Sequence, residues 1–409
     1  MKPDDKTIER VDVAICGGGL VGLTLGVALA RHGVSCAVID PAPPEAMTSN
    51  EFDGRVSSIS LGSKRVLEGI GVWPGVADQA SPILEIRVSD NNSPMFLHYD
   101  HSEVGDEPLG WMVENRRMRA ALLAEAAGLS DLHQFTRVGV ATVVEAGEGA
   151  EVTLDDGRII TARLAVAADG RRSRIREAAG IGVVQWSYEQ VGIVCTVHHE
   201  RPHRNIAHER FLPAGPFAIL PMTDNRSSLV WTERAARAPE FMALDDAAFL
   251  AALSDRFGDF MGTLEVVGPR WSYPLSLVHA ERYTAPRLAL VGDAAHGIHP
   301  IAGQGFNLGI RDVAALAELV VERRRLGLDV GAPDLLAHYQ RWRRFDTTLL
   351  IAMTDGLNRL FSNDIPPVQL VRDIGLAAVN RSPPLKRVFM RHAMGVVGDL
   401  PRLARGEPL

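Results

Sequence analysis

The hydrophobic positions at the start of the chain follow the order strand, turn, helix, strand. Residues 11–16 form a short apolar, β-branched run that predicts a buried strand, and the Ala- and Leu-rich residues 20–32 predict a helix. Residues 35–39 predict a second buried strand, which ends at Asp40. Two parallel strands joined by a helix within about 30 residues form a βαβ unit. We therefore expect the chain to open with half of a mononucleotide-binding domain.

The next part of the chain mixes helical and alternating patterns. Up to residue 166 these patterns predict a helix at 61–69, a strand at 83–89, a helix at 113–127 and strands at 139–145, 151–154 and 159–166. The last three strands alternate like a β-meander, with a turn at Asp155, Asp156 and Gly157. We expect this meander to return to the first domain.

From about residue 185 the pattern changes to alternation with a period of two, which is typical of half-buried strands. Strands are predicted at 192–198, 218–222, 227–232 and 270–275, with one helix near 245–254. This part of the chain is therefore expected to form a second domain around a mostly antiparallel sheet. A buried strand at 287–291, a helical segment to about 325 and a helical tail to about 403 follow.

Composition narrows the class of protein. The 409 residues carry 43 Lys and Arg against 50 Asp and Glu, a net charge of -7, so no overall positive field favours nucleic acid. The three cysteines have no disulfide or zinc-ligand spacing, which fits a reducing cytoplasm and predicts no metal site. No secretory signal pattern and no run of about 18 apolar residues occurs, so we expect neither export nor a membrane span.

The glycines after the first strand carry the first functional signal. Residues 17–22 read GGGLVG, in which Gly17 permits a tight turn, Gly19 lets a pyrophosphate approach the backbone and Gly22 lets helix and strand pack closely. The start of the helix supplies the anion site. Asp40 is placed to accept a hydrogen bond from a ribose 2'-hydroxyl, and an acidic residue there disfavours NADP. The bound nucleotide is therefore FAD or NAD.

Two later motifs favour FAD. Residues 163–176, RLAVAADGRRSRIR, place Asp169 and Gly170 after a strand, and residues 288–307, LALVGDAAHGIHPIAGQGFN, place Gly292 and Asp293 after another. The three motifs in this order resemble those of flavoprotein monooxygenases of the para-hydroxybenzoate hydroxylase class. Across nearly the whole chain the sequence is most similar to the ubiquinone-biosynthesis hydroxylases within that class, and residues 292–312 are the most specific stretch.

The resemblance implies a fold and a set of cofactor-binding residues. The fold would be α/β, with a Rossmann-like FAD-binding domain of the para-hydroxybenzoate hydroxylase type, an inserted mostly antiparallel substrate domain and a helical C-terminal region. The corresponding boundaries are 1–184 and 277–330 for the FAD-binding domain, 185–276 for the substrate domain and 331–409 for the helical region. Besides the glycines and Asp40, the expected FAD contacts are Arg55, Asn115, Arg119, Asp169, Gly170, Gly292, Asp293, Gly303, Gln304, Gly305 and Asn307.

By the same resemblance the protein would be a single-component monooxygenase that binds FAD tightly without a covalent bond. NADPH or NADH and O2 would be co-substrates, and the chain has no second Gly-rich βαβ unit to hold a resident nicotinamide nucleotide. A flavin C4a-hydroperoxide would hydroxylate an electron-rich phenol. Pro300 is expected beside the flavin ring, and His299 is a candidate proton relay, with a structural histidine at the turn as the plainer alternative.

The expected substrate is a polyprenylated phenol of ubiquinone biosynthesis. Trp231, Trp271 and Tyr273 are candidates to line its pocket, although aromatic strand residues more commonly pack in a core. The C-terminal region from Arg381 carries basic residues among apolar ones, namely Lys386, Arg387, Arg391, Arg402 and Arg405. This pattern predicts a peripheral contact with the inner membrane, a solvated helix face packed on the catalytic domain, or a protein-facing surface. Other proteins of ubiquinone biosynthesis are therefore candidate partners.

Several alternatives remain open on the sequence alone. The substrate could be a small soluble phenol, and the chain could be a non-catalytic flavoprotein subunit of a biosynthetic complex. An NAD-dependent dehydrogenase would share only the first motif. A flavin-dependent halogenase would be expected to carry a WxWxIP-like sequence, which is absent here, and a reductase of isoprenoid double bonds is a minor option.

Overall fold

The computed structural model describes residues 9–48, 51–90, 96–298, 303–361, 379 and 381–409. One sheet contains the predicted βαβ unit, with parallel neighbours in the order β18, β11, β1, β2, β8. A short antiparallel strand and the β-meander complete it. The strands are β1 Glu9–Cys16, β2 Cys36–Asp40, β8 Leu132–Thr136, β9 Val140–Ala146, β10 Gly149–Leu154, β11 Ile159–Ala167, β17 Thr284–Ala285 and β18 Leu288–Leu290.

A second sheet of eight strands forms the other half of the molecule, in the order β19, β16, β12, β15, β14, β13, β5, β6. All its pairs are antiparallel except β13 with β5, which is parallel. The sheet is not confined to residues 185–276, because two strands come from earlier in the chain and one from later. The strands are β5 Glu85–Asp90, β6 Phe96–Asp100, β12 Val183–His199, β13 Ile206–Leu212, β14 Gly215–Met222, β15 Arg226–Arg234, β16 Leu264–Ala280 and β19 His296–Gly297.

A small three-stranded sheet lies between these two and consists of β3 Val56–Ser60, β7 Gly110–Glu114 and β4 Ser81–Ile83. The main helices of the nucleotide-binding half are α1 and α8, which pack against each other, and α4, which packs on α1. The helices are α1 Leu20–Ala30, α2 Pro44–Thr48, α3 Leu61–Gly69, α4 Asn115–Ala127, α5 Arg174–Ala178, α6 Ala238–Met242, α7 Asp246–Phe257, α8 Gln304–Arg325, α9 Pro333–Phe361, α10 Pro383–Ala393 and α11 Arg402–Arg405.

Most predicted elements agree with the structure, and the disagreements have local causes. The helix predicted at 61–69 is α3, whose start is capped by the Ser60 side chain accepting from the Ser63 amide. The helix predicted from residue 113 begins only at Asn115, because 110–114 pair as the central strand of the small sheet. The strand predicted at 83–89 is divided between two sheets at Leu84.

The two largest apolar cores lie in different halves of the molecule. The larger core surrounds β1, α1 and α8, and the smaller one lies on one face of the eight-stranded sheet, covered by α6 and α7. The three cysteines are buried and free. Among the residues described here, no helix combines the length and the apolar character needed to span a membrane.

Candidate functional site

The glycine turn between β1 and α1 has the geometry that a bound pyrophosphate requires. Gly17 has a φ of +117°, and a Cβ on it would collide with the backbone of Ala168, while a Cβ on Gly22 would collide with the carbonyl oxygen of Gly17. A Cβ on Gly19, by contrast, would meet nothing within 4 Å. The two outer glycines are thus required by packing, and the space beside Gly19 is open for a ligand.

Asp40 holds this turn from the end of β2. One carboxylate oxygen accepts from the Gly18 amide at 2.7 Å and the other from the Ala42 amide at 2.8 Å. Each carboxylate oxygen can accept a second hydrogen bond, so a ribose hydroxyl remains within the capacity of the group. The ribose contact of Asp40 therefore stays a prediction. The structure shows in addition that Asp40 holds the glycine turn through the Gly18 amide.

Arg55, Asn115 and Arg119 are positioned by the small sheet and α4. The backbone amide of Asn115 donates to the Arg55 carbonyl at 2.9 Å, and its side-chain oxygen accepts from the Ser57 hydroxyl at 2.7 Å. Arg119 lies one helical turn further on, half-buried, and has no hydrogen-bond or ion-pair partner among the described residues. A half-buried guanidinium without a carboxylate is suited to a phosphate.

The Asp169–Gly170 turn is tied to the third motif by two arginines. Gly170 has a φ of +82°, and Asp169 is exposed near the start of α5. Arg176 of α5 is buried and donates to the Ala294 carbonyl at 2.9 Å. Arg171 donates to the Ser276 hydroxyl at 3.1 Å. The second motif therefore supports the loop that carries the third.

The third motif forms a loop after β18. Gly292 has a φ of +59°, its amide donates to a carboxylate oxygen of Asp312 at 3.0 Å, and a Cβ on it would contact Val21 at 3.2 Å. Asp293 is half-exposed, and the only described cation near it is Arg171, at 4.0 Å. The Asp293 carboxylate is therefore available to accept from a hydroxylated ligand.

A charged network that the sequence analysis did not identify lies beneath this loop. Asp312 of α8 is completely buried and also accepts from His296 Nε2 at 2.5 Å and from Arg343 Nε at 2.8 Å. Burial would raise the pKa of Asp312, but His296 and Arg343 together lower it below its ordinary value. The signal that could have identified it is a charged pair, Arg311 and Asp312, within the otherwise apolar middle of a helix.

The start of α8 supplies the remaining predicted residues. Gly303 has a φ of +61° and a Cβ on it would lie 2.8 Å from the Ser58 side chain, whereas a Cβ on Gly305 would meet nothing within 4 Å. Gln304 is buried at the edge of the cavity described below. An open position at a helix start favours the approach of a ligand edge to the backbone amides.

The structure gives the Asn307 side chain a structural role, and the predicted cofactor contact of this residue stays a prediction. Its side-chain oxygen accepts from the Ser60 amide at 2.9 Å, and its amide nitrogen donates to the Ser58 and Gly303 carbonyls at 3.0 and 3.3 Å. The residue is fully buried and both amide hydrogens are used, so its side chain fixes β3 to α8 and has no donor left for a cofactor. Pro300 and His299 lie outside the described residues and stay predictions.

A cavity of about 1250 Å³ extends between the nucleotide-binding residues and the eight-stranded sheet. Its lining includes Arg55, Asn115, Asp293 and Gln304 on one side. On the other side it is mostly apolar, with the sheet contributing one face of its strands, including Ile86, Val88, Tyr99, Val194, Ala207, Glu209, Phe211, Ala218, Leu220, Val230, Tyr273 and Leu275. Ligand pockets commonly measure about 300–1,000 Å³, so this cavity has room for a flavin ring and an aromatic substrate together.

The predicted pocket aromatics divide between the two faces of the sheet. Tyr273 lines the cavity. Trp231 does not, because its side chain lies on the opposite face, buried against Phe241 and under the guanidinium of Arg256 at 4.1 Å. Trp271 is outside the cavity lining and donates from its indole nitrogen to the Asp53 carbonyl at 2.6 Å. Trp231 and Trp271 are therefore corrected to core and loop-anchoring roles.

These features together fit FAD. The turn is open at Gly19, a half-buried guanidinium faces no carboxylate, a half-exposed Asp293 accepts at the cavity edge, and the helix start at Gly305 is open. A pyrophosphate needs a turn that offers several backbone amide donors. A ribityl chain needs an acceptor for its hydroxyl groups, and the planar flavin ring needs open space beside the backbone amides. Each need has a corresponding feature in the described residues.

Comparison with known proteins agrees with this geometry. A family model described as an FAD binding domain matches residues 10–348. The p-nitrophenol 4-monooxygenase PnpA from Pseudomonas putida DLL-E4 superposes with a TM-score of 0.78 at 16% sequence identity, covering 95% of this chain and 99% of that one, which establishes the shared fold. The chain therefore contains an FAD-binding domain and has the fold of this monooxygenase.

Two relatives define the family more narrowly. The ubiquinone hydroxylase UbiL of Rhodospirillum rubrum is 54% identical over 401 residues, covering 97% of this chain and 93% of that protein. The 3-demethoxyubiquinol 3-hydroxylase of Escherichia coli is 34% identical over 392 residues, covering 95% of this chain and all of that protein. The chain belongs to the ubiquinone-biosynthesis hydroxylase family of flavoprotein monooxygenases.

Proposed function

We propose that this protein uses FAD, NADPH or NADH and O2 to hydroxylate the aromatic ring of a polyprenylated phenol in ubiquinone biosynthesis. The observation that carries the proposal is the cavity of about 1250 Å³ that joins the predicted flavin-binding residues to an apolar sheet face. An apolar wall of this extent favours a lipophilic ring over a charged hydroxybenzoate, because a carboxylate there would lose its hydration without a matching cation. The full-length match to ubiquinone hydroxylases supports the same substrate class.

Each group of residues has a defined task in this proposal. The Gly19 turn and Arg119 bind the pyrophosphate, Asp40 accepts from the ribose, and Asp293 accepts from the ribityl chain. The backbone at Gly303 and Gly305 donates to the polar edge of the flavin ring. When bound and reduced, FAD supplies the two-electron reaction with O2 from which the transferred oxygen atom derives.

The protein must also keep the reaction dry and the ring oriented. The aliphatic side chains of the cavity exclude water from the place where reduced FAD would react with O2. Tyr273 and the sheet face hold the aromatic ring beside the flavin. We expect no nucleophile and no metal, because orientation and desolvation are the protein's share of this chemistry.

The C-terminal helix α10 gives a route for a lipophilic substrate. Phe389 and His392 line the cavity, while Leu385, Val388 and Arg391 are exposed on the same helix. Apolar residues beside an exposed cation suit a peripheral contact with anionic lipid headgroups. We expect co-sedimentation with vesicles containing anionic lipid, weakened by Arg387→Glu with Arg391→Glu, and equal sedimentation of both proteins would contradict the contact.

Deletion of the gene in its host tests the proposed function. We expect ubiquinone to fall and a precursor lacking one oxygen to accumulate, as measured by mass spectrometry of a lipid extract. Wild-type protein supplied in trans should restore ubiquinone, whereas Gly19→Val, which fills the open position of the turn, should not.

The alternatives predict other results. An unchanged quinone profile would contradict the lipid substrate and direct attention to small soluble phenols. Restoration of ubiquinone by a flavin-free variant would instead indicate a non-catalytic subunit.

A further inference from the structure

An isolated carboxyl group lies on the floor of the cavity. Glu209 is in β13, which is hydrogen-bonded to β5 on one side and to β14 on the other. Its neighbours across the two strands are Val88 and Ala218, and all three residues line the cavity. Because strand residues alternate between faces, the Glu209 side chain shares this face with Ala207 and Phe211. The carboxyl group is therefore surrounded by apolar side chains where a substrate ring would lie.

Glu209 has no protein partner in the described part of the chain. No hydrogen bond or ion pair involves it, and the only other carboxylate in the described cavity lining is Asp293, on the flavin side. Burial raises the pKa of Glu209 to about 7. An unpaired carboxyl group that is shielded from bulk water destabilises the fold, and such groups are characteristic of functional clefts.

The charged residues nearest in sequence do not neutralise it. Arg210 alternates onto the opposite face of β13, where it donates to the Arg256 carbonyl. His208 is in the cavity lining, but its ring lies 5.0 Å from the Phe260 ring and burial lowers its pKa to about 4, so it is uncharged at pH 7. Arg87 of β5 lies beside His208. β14 contributes no titratable side chain opposite Glu209, since its partner there is Ala218. The pKa of Glu209 is accordingly raised by burial alone.

The remaining titratable groups on the cavity side form no ion pair with Glu209 in the described part of the chain. Tyr99 of β6 faces the cavity, and burial raises the pKa of its phenol above the ordinary value, so it is neutral. Asp90 ends β5 two residues beyond Val88 and lies outside the cavity lining. The other titratable residues of the described lining are Asp293 and Tyr273, His392 of α10, and the three arginines Arg55, Arg171 and Arg172. A hydroxyl group of the substrate could donate a hydrogen bond to the Glu209 carboxylate, which has no donor among the described residues.

We propose that Glu209 is a catalytic residue that accepts the proton of the ring hydroxyl of the phenolic substrate, an inference that rests on the proposed function. As the new C–O bond forms at a ring carbon, the O–O bond derived from O2 breaks, the hydroxyl proton passes to the carboxylate and the ring becomes a dienone. The ring carbon then loses its hydrogen as a proton, which the departing oxygen atom takes up. The carboxyl group returns its proton to the ring oxygen, and aromaticity is restored. NAD(P)H supplies two electrons, and the second atom of O2 leaves as water.

The test uses purified enzyme loaded with FAD and a phenol carrying a two-unit prenyl chain at C2, in mild detergent. Glu209→Gln keeps the shape of the side chain and removes the base, and Glu265→Gln is a matched control on an exposed position of the same sheet. We expect Glu209→Gln to lower the rate of hydroxylation by about 10²-fold or more, with FAD content retained and with reducing equivalents released as hydrogen peroxide. Glu265→Gln should match the wild type.

A second readout is the affinity of the oxidised holoenzyme for the same phenol, followed by the change in flavin absorption. A carboxyl group with a pKa of about 7 ionises between pH 6 and pH 8. If the carboxylate is the acceptor, wild-type affinity should therefore increase by about tenfold over this range, and Glu209→Gln should show no such increase. This measurement does not require turnover. The pH dependence of the wild-type affinity can be measured even if the Glu209→Gln variant does not fold.

The outcomes separate two failures. Wild-type enzyme that forms no hydroxylated phenol would overturn the proposed function and the role of Glu209 with it. Wild-type enzyme that forms product while Glu209→Gln matches it in rate and pH dependence would overturn the role of Glu209 alone. Wild-type affinity that is constant from pH 6 to pH 8 would also overturn that role, even if the variant does not fold.

Discussion

Two carboxyl groups in this molecule are removed from bulk water in opposite ways. Asp312, beneath the Gly292–Asp293 loop, is contacted by a backbone amide, a histidine and an arginine, and its pKa is lowered. Glu209, on the cavity floor, has none of these partners, and its pKa is raised to about 7. The first environment stabilises the charged form and the second disfavours it. A buried carboxylate that is fully paired is therefore part of the scaffold, and one left unpaired at a cavity is available for chemistry.

The largest expected effect concerns the paired group. Asp312→Asn leaves Arg343 buried with one carboxylate fewer, and breaking such a pair costs about 3–5 kcal/mol. We expect the free energy of unfolding at pH 7, measured by urea denaturation, to fall by that amount. FAD occupancy should also decrease, because the one amide oxygen of asparagine cannot accept from Gly292, His296 and Arg343 as the two carboxylate oxygens do.

The pH dependence of this loss follows from the lowered pKa. A carboxyl group with a lowered folded-state pKa stabilises the protein above its ordinary pKa of about 3.9 and ceases to do so as pH falls through the folded value. The difference between variant and wild type should therefore shrink below about pH 4. Asp334→Asn, at an exposed ion pair of α9, is the matched control and should change stability little. An equal loss in both variants would contradict the prediction.

A smaller effect of opposite sign is expected at the unpaired group. In the unfolded chain Glu209 ionises near pH 4.5, whereas in the native protein it ionises near pH 7, so the wild type loses stability as pH rises between these values. Glu209→Gln removes this loss. The variant should therefore gain about 2–3 kcal/mol over the wild type between pH 5 and pH 8, measured by urea denaturation at each pH.

A control variant and one contradicting outcome test this second prediction. Glu265→Gln should show a stability difference from the wild type that does not change with pH. If the same constancy is found for Glu209→Gln, the carboxyl group is ionised in the native protein throughout this range and the contrast with Asp312 fails.

The nucleotide-binding half was the more predictable region from sequence, for a physical reason. Gly17, Gly22 and Asp40 act through backbone geometry within one local βαβ unit, so their spacing alone specifies what they do. The start of α3 was equally predictable because its cap is the residue just before it, Ser60. The sequence predicts the structure correctly where an element depends on residues that are close to it in the chain.

The cavity was less predictable because its faces depend on distant pairing. Alternation in β15 shows that Val230 and Trp231 point to opposite faces, but which face meets the cavity is decided only when the sheet docks. Glu209 lies in the polar sequence His208, Glu209, Arg210, which resembles an exposed loop. Its position on the cavity floor results from pairing with β5, which lies more than a hundred residues earlier.

The hydrogen bonds by which Asn307 fixes β3 to α8 have a consequence for the order of folding during synthesis. The strand it fixes, β3, leaves the ribosome long before α8, and at about 5–20 residues per second the delay is about 12–50 s. During that interval the glycine turn exists without the helix that packs behind it, and most of the eight-stranded sheet is synthesised in between. The predicted flavin site is thus completed late in synthesis. It forms when α8 packs against α1 and β3, after most of the eight-stranded sheet has been synthesised.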